Sequence, residues 1–213
     1  MQGVLTADIS SQINDGVRQD KPLVAVEMCA GTLRNLPTYS NACSVVHAVE
    51  MVSDLTATYP LHTTSAASST WTGSLTVSDK TSIIAHTLPL QHWVWPENGV
   101  DLAIGMWALC YLGWDDLNTV LARMYCSLRA GGRVILNEPI LDEDAKGEER
   151  YQEELGQEMI VRRLGLYEQV FKHHGLDVTS IEKDGAQHDI QGSDRLAMFV
   201  LKKNGDEALL RRL

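Results

Sequence analysis

The chain has no stretch of the roughly 18–20 consecutive apolar residues that crosses a bilayer. Its amino terminus lacks the basic-then-apolar order of a secretory signal. There is no run of Lys or Arg, and with 18 basic against 28 acidic residues the net charge is −10. Nothing would neutralise a phosphate backbone or an anionic lipid face, which argues against a membrane or general nucleic-acid binder. An acidic surface instead suits a basic peptide. There is no Cys-x-x-Cys pair. Cys29, Cys43, Cys110 and Cys126 are widely spaced, as buried thiols in a reducing compartment are, and unlike a disulfide framework or a zinc site. No metal is expected. The location expected is cytoplasmic, with the nucleus as the alternative. Internal repeats and domain boundaries are also missing, so residues 1–213 read as one domain.

Within that domain, 44% of residues are hydrophobic and 22% charged, enough apolar content for one sizeable core. The stretch that organises the chain is Leu23–Leu36. Leu-Val-Ala-Val ends in the acid Glu27, and a small-residue turn follows. This is how a strand buried on both faces hands over to a nucleotide-binding loop in an open α/β sheet. A glycine-rich loop would read acid-x-Gly-x-Gly-x-Gly. Here only the middle glycine, Gly31, is present, and Cys29 and Leu33 take the outer places. A second β-branched run, Cys43–Val49, ends in Glu50. Ser82–His86, Asp101–Trp107, Arg133–Asn137, Asp177–Glu182 and Arg195–Lys202 are further strand candidates, the last two pairing antiparallel because no helix separates them.

Two amphipathic helices are expected. In the first, capped by Asp115, the residues Leu117, Val120, Leu121, Met124 and Leu128 share one face, and Arg129-Ala130-Gly131-Gly132 ends it. The second spans Leu155–His174, with Met159, Ile160, Leu164, Tyr167, Val170 and Phe171 inward. Between them Asp142–Glu154 reads as a solvated loop or helix start, and its carboxylates Asp142, Glu143 and Asp144 as a wet charge run rather than a cation site. Residues 1–21 form a lead-in with Ile9, Ile13 and Val17 at helical spacing. Residues 61–80 are a Ser/Thr-rich insertion, and 204–213 a short helical tail. The fold class is α/β: a doubly wound, mostly parallel seven-stranded sheet with an antiparallel final strand.

In order and spacing, several pieces together resemble a class I S-adenosylmethionine-dependent methyltransferase. They are the two acid-ended strands, Leu128-Arg-Ala-Gly-Gly before the fifth strand, and the antiparallel final pair. Shorter pieces are similar to the eukaryotic N-terminal α-amino protein methyltransferases: Ala30-Gly31 followed by Arg34, Leu90-Gln91, Asp101…Met106-Trp107…Tyr111-Leu112, and Asn137-Glu138-Pro139 where that family has Lys-acid-Asn.

The resemblance implies S-adenosylmethionine as cofactor. It implies cofactor-binding roles for Glu27, Cys29, Gly31, Arg34, Glu50, Leu90, Gln91 and Met106. Arg34 would grip the methionine carboxylate, Glu50 the ribose hydroxyls, and Leu90 and Gln91 the adenine. Trp107 would line the substrate channel beside Tyr111, and Glu138 or Glu158 would serve as base. Glu158 is adjacent to Gln157, near which the family's later Asp falls. The implied substrate is a protein or peptide with a basic N-terminus. Pro139 replaces the family's amide, and two loop glycines are gone, so the alternative is a methyltransferase fold of weak or absent activity that serves as a binding or scaffold subunit. A dinucleotide-dependent enzyme is the third reading, and the loop lacks its close-approach glycine.

Overall fold

The computed structural model describes residues 23–57, 81–141, 145–154, 157–183 and 195–204. The expected lead-in helix, the 61–80 insertion, the Asp142–Asp144 run and the helical tail lie outside them.

Among the described residues nine strands form one sheet. The Val/Ile/Leu runs make β1 (Leu23–Met28), β2 (Cys43–Glu50), β3 (Ser82–Thr87), β4 (Val100–Met106) and β5 (Leu128–Leu141). These pair in parallel in the order β3-β2-β1-β4-β5. β9 (Arg195–Lys203) runs antiparallel to β5, and β8 (Leu176–Lys183) antiparallel to β9. The central order is therefore 3-2-1-4-5-9-8, with one reversed strand inserted, as the sequence led us to expect. β1 is the middle one of the five parallel strands, and its carboxyl end is where the direction of winding reverses. An open sheet offers a ligand its crevice at that switch point.

Helices cover the sheet where the connections allow. α1 (Leu36–Tyr39) and α2 (Ser53–Thr56) are single turns. α3 (Trp114–Ser127) and α4 (Leu164–His173) are the long ones. Leu117, Val120, Leu121 and Met124 of α3 pack with Tyr167, Val170 and Phe171 of α4 on one face of the sheet. Leu33, Leu36 and Tyr39 pack with Ala25, Val46 and Ile104 on the other.

Local expectations shift at the helix ends. α3 is capped by Gly113, not Asp115. Asp115 and Asp116 fall in its first turn, where negative charge meets the positive end of the helix dipole. The helix stops at Ser127, and Leu128 already belongs to β5. Gly131, with φ 83°, turns the chain inside that strand rather than capping the helix. At Gly132 a Cβ would stand 3.0 Å from the Arg129 carbonyl oxygen, so this close approach needs glycine.

The largest departure is the expected helix Leu155–His174. Its first half is a strand, β7 (Gln157–Arg163), and β6 (Glu149–Glu154) arises within the expected acidic loop. The two form an antiparallel hairpin. Met159 and Ile160 are buried as anticipated, but from a strand. β-branched Ile160 and Val161 suit a pleated surface, and pairing with β6 and the tail of β5 outweighs the helical spacing.

The position of the hairpin follows from register. β4 leaves β5 at Met106 opposite Asn137. β7 pairs with β5 at Ile140–Arg162 and Leu141–Arg163. Ile140 also pairs with Arg195 of β9. β9 holds one edge of β5, so β7 must take the edge that β4 vacated three residues earlier. The hairpin therefore stands above the end of β4, over the loop that follows it.

Candidate cofactor crevice and substrate loop

Residues 29–35 form the turn after β1. Cys29, Gly31 and Leu33 all have positive φ, at 48°, 53° and 56°. The alternation of a glycine loop is thus kept with a single glycine. Each non-glycine residue there costs about 1–2 kcal/mol. Leu33 offsets this by burial: its side chain is inaccessible to solvent and packs with Ala30, Leu36 and Tyr39 beneath the loop. Cys29 is half-buried against the opposite face of the sheet. Its thiol is pushed up to about 12, first by burial and then by Glu50 and Glu138, so it stays neutral.

Glu27 lies under this loop. It is 1% exposed, accepts a hydrogen bond from Asn35 Nδ2 at 3.0 Å and another from the Tyr39 hydroxyl. Burial raises its pKa to about 7, against the lowering effects of Tyr39, Asn35 and Arg34. It ties the loop to α1 from below rather than facing the crevice. Asn35 and Tyr39 carry no sequence motif that would have revealed this.

Glu50 ends β2 beside the loop. Its Oε2 accepts the Gly31 N–H and its Oε1 the Val52 N–H, each at 2.9 Å. The two donors fix the carboxylate plane. An ionised carboxylate has about four lone-pair sites, so each oxygen can accept one more bond. Arg34 is exposed on the loop. A Cβ on Gly31 would meet only the Cys29 carbonyl, at 3.9 Å, so the loop backbone is open to an approaching ligand.

Leu90 is buried and Gln91 half-buried in a short turn after β3. Arg123 of α3, which the sequence did not single out, holds this turn by donating to the carbonyl of Gln91 and, at 3.2 Å, to that of Trp93. Met106 ends β4. Trp107 follows with φ 57°, and its N–H donates to the Asn137 carbonyl at 2.8 Å. Trp107 is half-buried and packs against Cys110, Leu141, Met159 and Val161, while Tyr111 is exposed.

Glu138 and Glu158 are not alike. Glu138 is inaccessible to solvent; Ala108 and Leu109 N–H donate to its Oε1, and Cys110 N–H to its Oε2, at 2.9–3.0 Å. Burial raises it to about 7 despite these donors. It organises the loop rather than reaching a substrate proton. Glu158 is exposed on β7. Arg162, also absent from the sequence reading, is fully buried on the same hairpin. It pairs with Glu149 at 2.7 Å and donates to the carbonyls of Leu109 and Leu112. A cavity of about 320 Å³ near the end of β5 includes none of the crevice residues; Ile140, Leu141, Leu164 and Arg195 are among its lining.

These residues fit S-adenosylmethionine. The open backbone at Gly31, a guanidinium for an amino-acid carboxylate and a doubly anchored carboxylate to accept from a diol are the polar groups that such a ligand needs. Among the described residues no cluster of His, Cys, Asp and Glu could hold a metal ion, and no helix is long and apolar enough to cross a membrane.

No family model matches the chain, and no curated protein matches it in sequence. Solved structures do resemble it. An S-adenosylmethionine-dependent methyltransferase from Listeria monocytogenes superposes with a TM-score of 0.65 at 11% identity, over 96% of this chain and 100% of that one. One from Leishmania major gives 0.65 at 16%, over 95% and 74%. The Burkholderia thailandensis 1,6-didemethyltoxoflavin-N1-methyltransferase, with S-adenosylhomocysteine bound, gives 0.60 at 15%, over 95% and 89%. The fold of this chain is that of the class I S-adenosylmethionine-dependent methyltransferases.

Proposed function

We propose that the protein binds S-adenosylmethionine in the crevice at the end of β1 and transfers its methyl group to a protein N-terminal α-amine. The observation that carries the cofactor reading is the positive φ at Cys29, Gly31 and Leu33, beside a Glu50 already held by the Gly31 N–H. Left-handed backbone at the side-chain-bearing Cys29 and Leu33 is strain of the kind that collects at ligand-binding turns. Arg34 would hold the methionine carboxylate, Glu50 the ribose hydroxyls, and Leu90 and Gln91 the adenine. The cofactor supplies an electrophilic methyl group on sulfur.

What the chain must do is bring a neutral amine in line and keep water out. Trp107 and Tyr111 would line that approach, an indole face attracting the cationic amine before it loses its proton. Glu158, exposed on β7, would be the base, since Glu138 is committed to backbone donors. The net charge of −10 favours a peptide with a basic N-terminus.

A second reading is favoured by that commitment of Glu138 and by Pro139 within β5: a fold retained for binding, without turnover. Titration calorimetry followed by a methyl-transfer assay on basic N-terminal peptides separates the two. S-adenosylmethionine is expected to bind below about 100 μM, roughly −5.5 kcal/mol. Arg34→Ala is expected to weaken it by about 10–100-fold through loss of a charge-assisted pair. No saturation at millimolar cofactor would reject the cofactor site; binding without transfer to any peptide would leave the second reading standing.

A further inference from the structure

We propose that Arg162 is a positioning residue through which the β6–β7 hairpin sets the loop Trp107–Leu112, and with it Trp107 and Tyr111, at the substrate end of the crevice. The proposal rests on the functional reading above only for what the loop faces.

The loop has two polar sides, and each meets a buried group of opposite charge. Three successive N–H groups, at Ala108, Leu109 and Cys110, converge on the Glu138 carboxylate from β5. The carbonyls of Leu109 and Leu112 turn the other way and meet Arg162 Nη1 at 3.2 Å and Nη2 at 2.7 Å. Leu109 is thus gripped through both its N–H and its carbonyl. The guanidinium Nε donates to Glu149 Oε1 on the facing strand at 2.7 Å. Its Cζ stands 4.9 Å over the ring centroid of Trp114, the first residue of α3.

A guanidinium suits this place for a geometric reason. Its planar fork sends donors in three directions at once, so one side chain can tie β6, the loop and the start of α3 to β7. A lysine would reach one or two of these partners. A fully buried cation is costly unless its partners are in place, and here the partners are main-chain atoms of the very loop that carries Trp107 and Tyr111. The register adds direction: the hairpin occupies the edge of β5 that β4 left, directly above this loop. The hairpin therefore sits over this loop and is the source of its fixed orientation.

The test uses the full chain and three variants: Arg162→Lys, Arg162→Met and the milder Glu149→Gln, whose side chain is partly exposed. Hydrogen exchange is followed at the amides of residues 108–112 and of β1 and β4. S-adenosylhomocysteine binding and the KM and kcat for a basic N-terminal peptide are measured alongside. In Arg162→Lys and Arg162→Met, protection of the 108–112 amides is expected to fall by at least about tenfold, while β1 and β4 keep theirs and S-adenosylhomocysteine binds within about twofold. Peptide KM is expected to rise by about tenfold in Arg162→Met with a smaller change in kcat, and Arg162→Lys to recover part of it. Unchanged exchange at 108–112 overturns the proposal. Protection lost across the whole sheet in Glu149→Gln as well as in both Arg162 variants also overturns it, since Arg162 would then be a general stabiliser. If the native protein transfers no methyl group, the functional reading fails by itself, and the exchange pattern still decides whether the clamp exists.

Discussion

Raising the pH from about 5 to 8 is expected to remove several kcal/mol of stability. Two carboxyl groups are responsible, Glu27 and Glu138. Each is about fully buried, and burial raises each from 4.5 to about 7 in the folded chain. Between those values the folded state keeps two protons that the unfolded chain has released. The unfolded state then binds fewer protons, so stability falls as pH rises. The contribution is complete below about 4.5 and is lost as pH passes through about 7, above which the dependence flattens. Each raised value is worth about 3 kcal/mol over that window. His47, His86 and His174 are shifted down, mainly by burial, and work in the opposite direction at the acid end. A substitution isolates the carboxyl effect. In Glu27→Gln the side-chain oxygen still accepts from Asn35, and the amide N–H can donate to the Tyr39 oxygen. That variant should lose about half of the fall between pH 5 and 7.5 in urea denaturation. A native protein whose stability rises steadily from pH 5 to 8, with Glu27→Gln tracking it, would refute the assignment.

The same two residues show how far a sequence carries. Acids at the ends of apolar runs marked β1 and β2 correctly, while the Gly31 N–H that holds Glu50 was not foreseen. At Glu27 the pattern located the strand end but not the direction of the side chain, because its partners Asn35 and Tyr39 sit 8 and 12 residues on and carry no motif. At Glu138 the motif position suggested a base, while the actual partners are three backbone N–H groups from a loop about 30 residues away. Long-range main-chain partners leave no trace in residue identities. The hairpin was hidden for a different reason: Met159, Ile160, Leu164 and Tyr167 satisfy a helical spacing, and nothing local says that the first two pair with a neighbour instead. One clue was present. Arg162 follows Met-Ile-Val within an apolar run, and a cation at a core position implies buried partners.

Leu33→Gly is expected to destabilise the protein, although it restores a glycine at a position with φ 56°. Relief of left-handed strain is worth about 1–2 kcal/mol. Against it stands the loss of a fully buried leucine, for which truncation to alanine alone costs about 2.7–5 kcal/mol when the surroundings cannot collapse. Glycine also adds conformational freedom to the unfolded chain. The net loss should be about 2–3 kcal/mol, a fall of roughly 5–10 °C in Tm for a chain of this size. Cys29→Gly goes the other way. Strain relief is similar, but the side chain lost is small and half-buried, so the stability change should lie within about 1 kcal/mol of zero. The thiol also lies close enough to Glu50 to feel its charge, beside a loop whose backbone is open at Gly31. Removing it should therefore tighten S-adenosylhomocysteine binding by up to about tenfold, at unchanged fold. Thermal unfolding with and without S-adenosylhomocysteine reads both effects at once. If Leu33→Gly melts above the native protein, the leucine is not anchoring the loop. If Cys29→Gly gains no affinity, the sulfur does not restrict the site, and the loop with one glycine is already as open as the ligand requires.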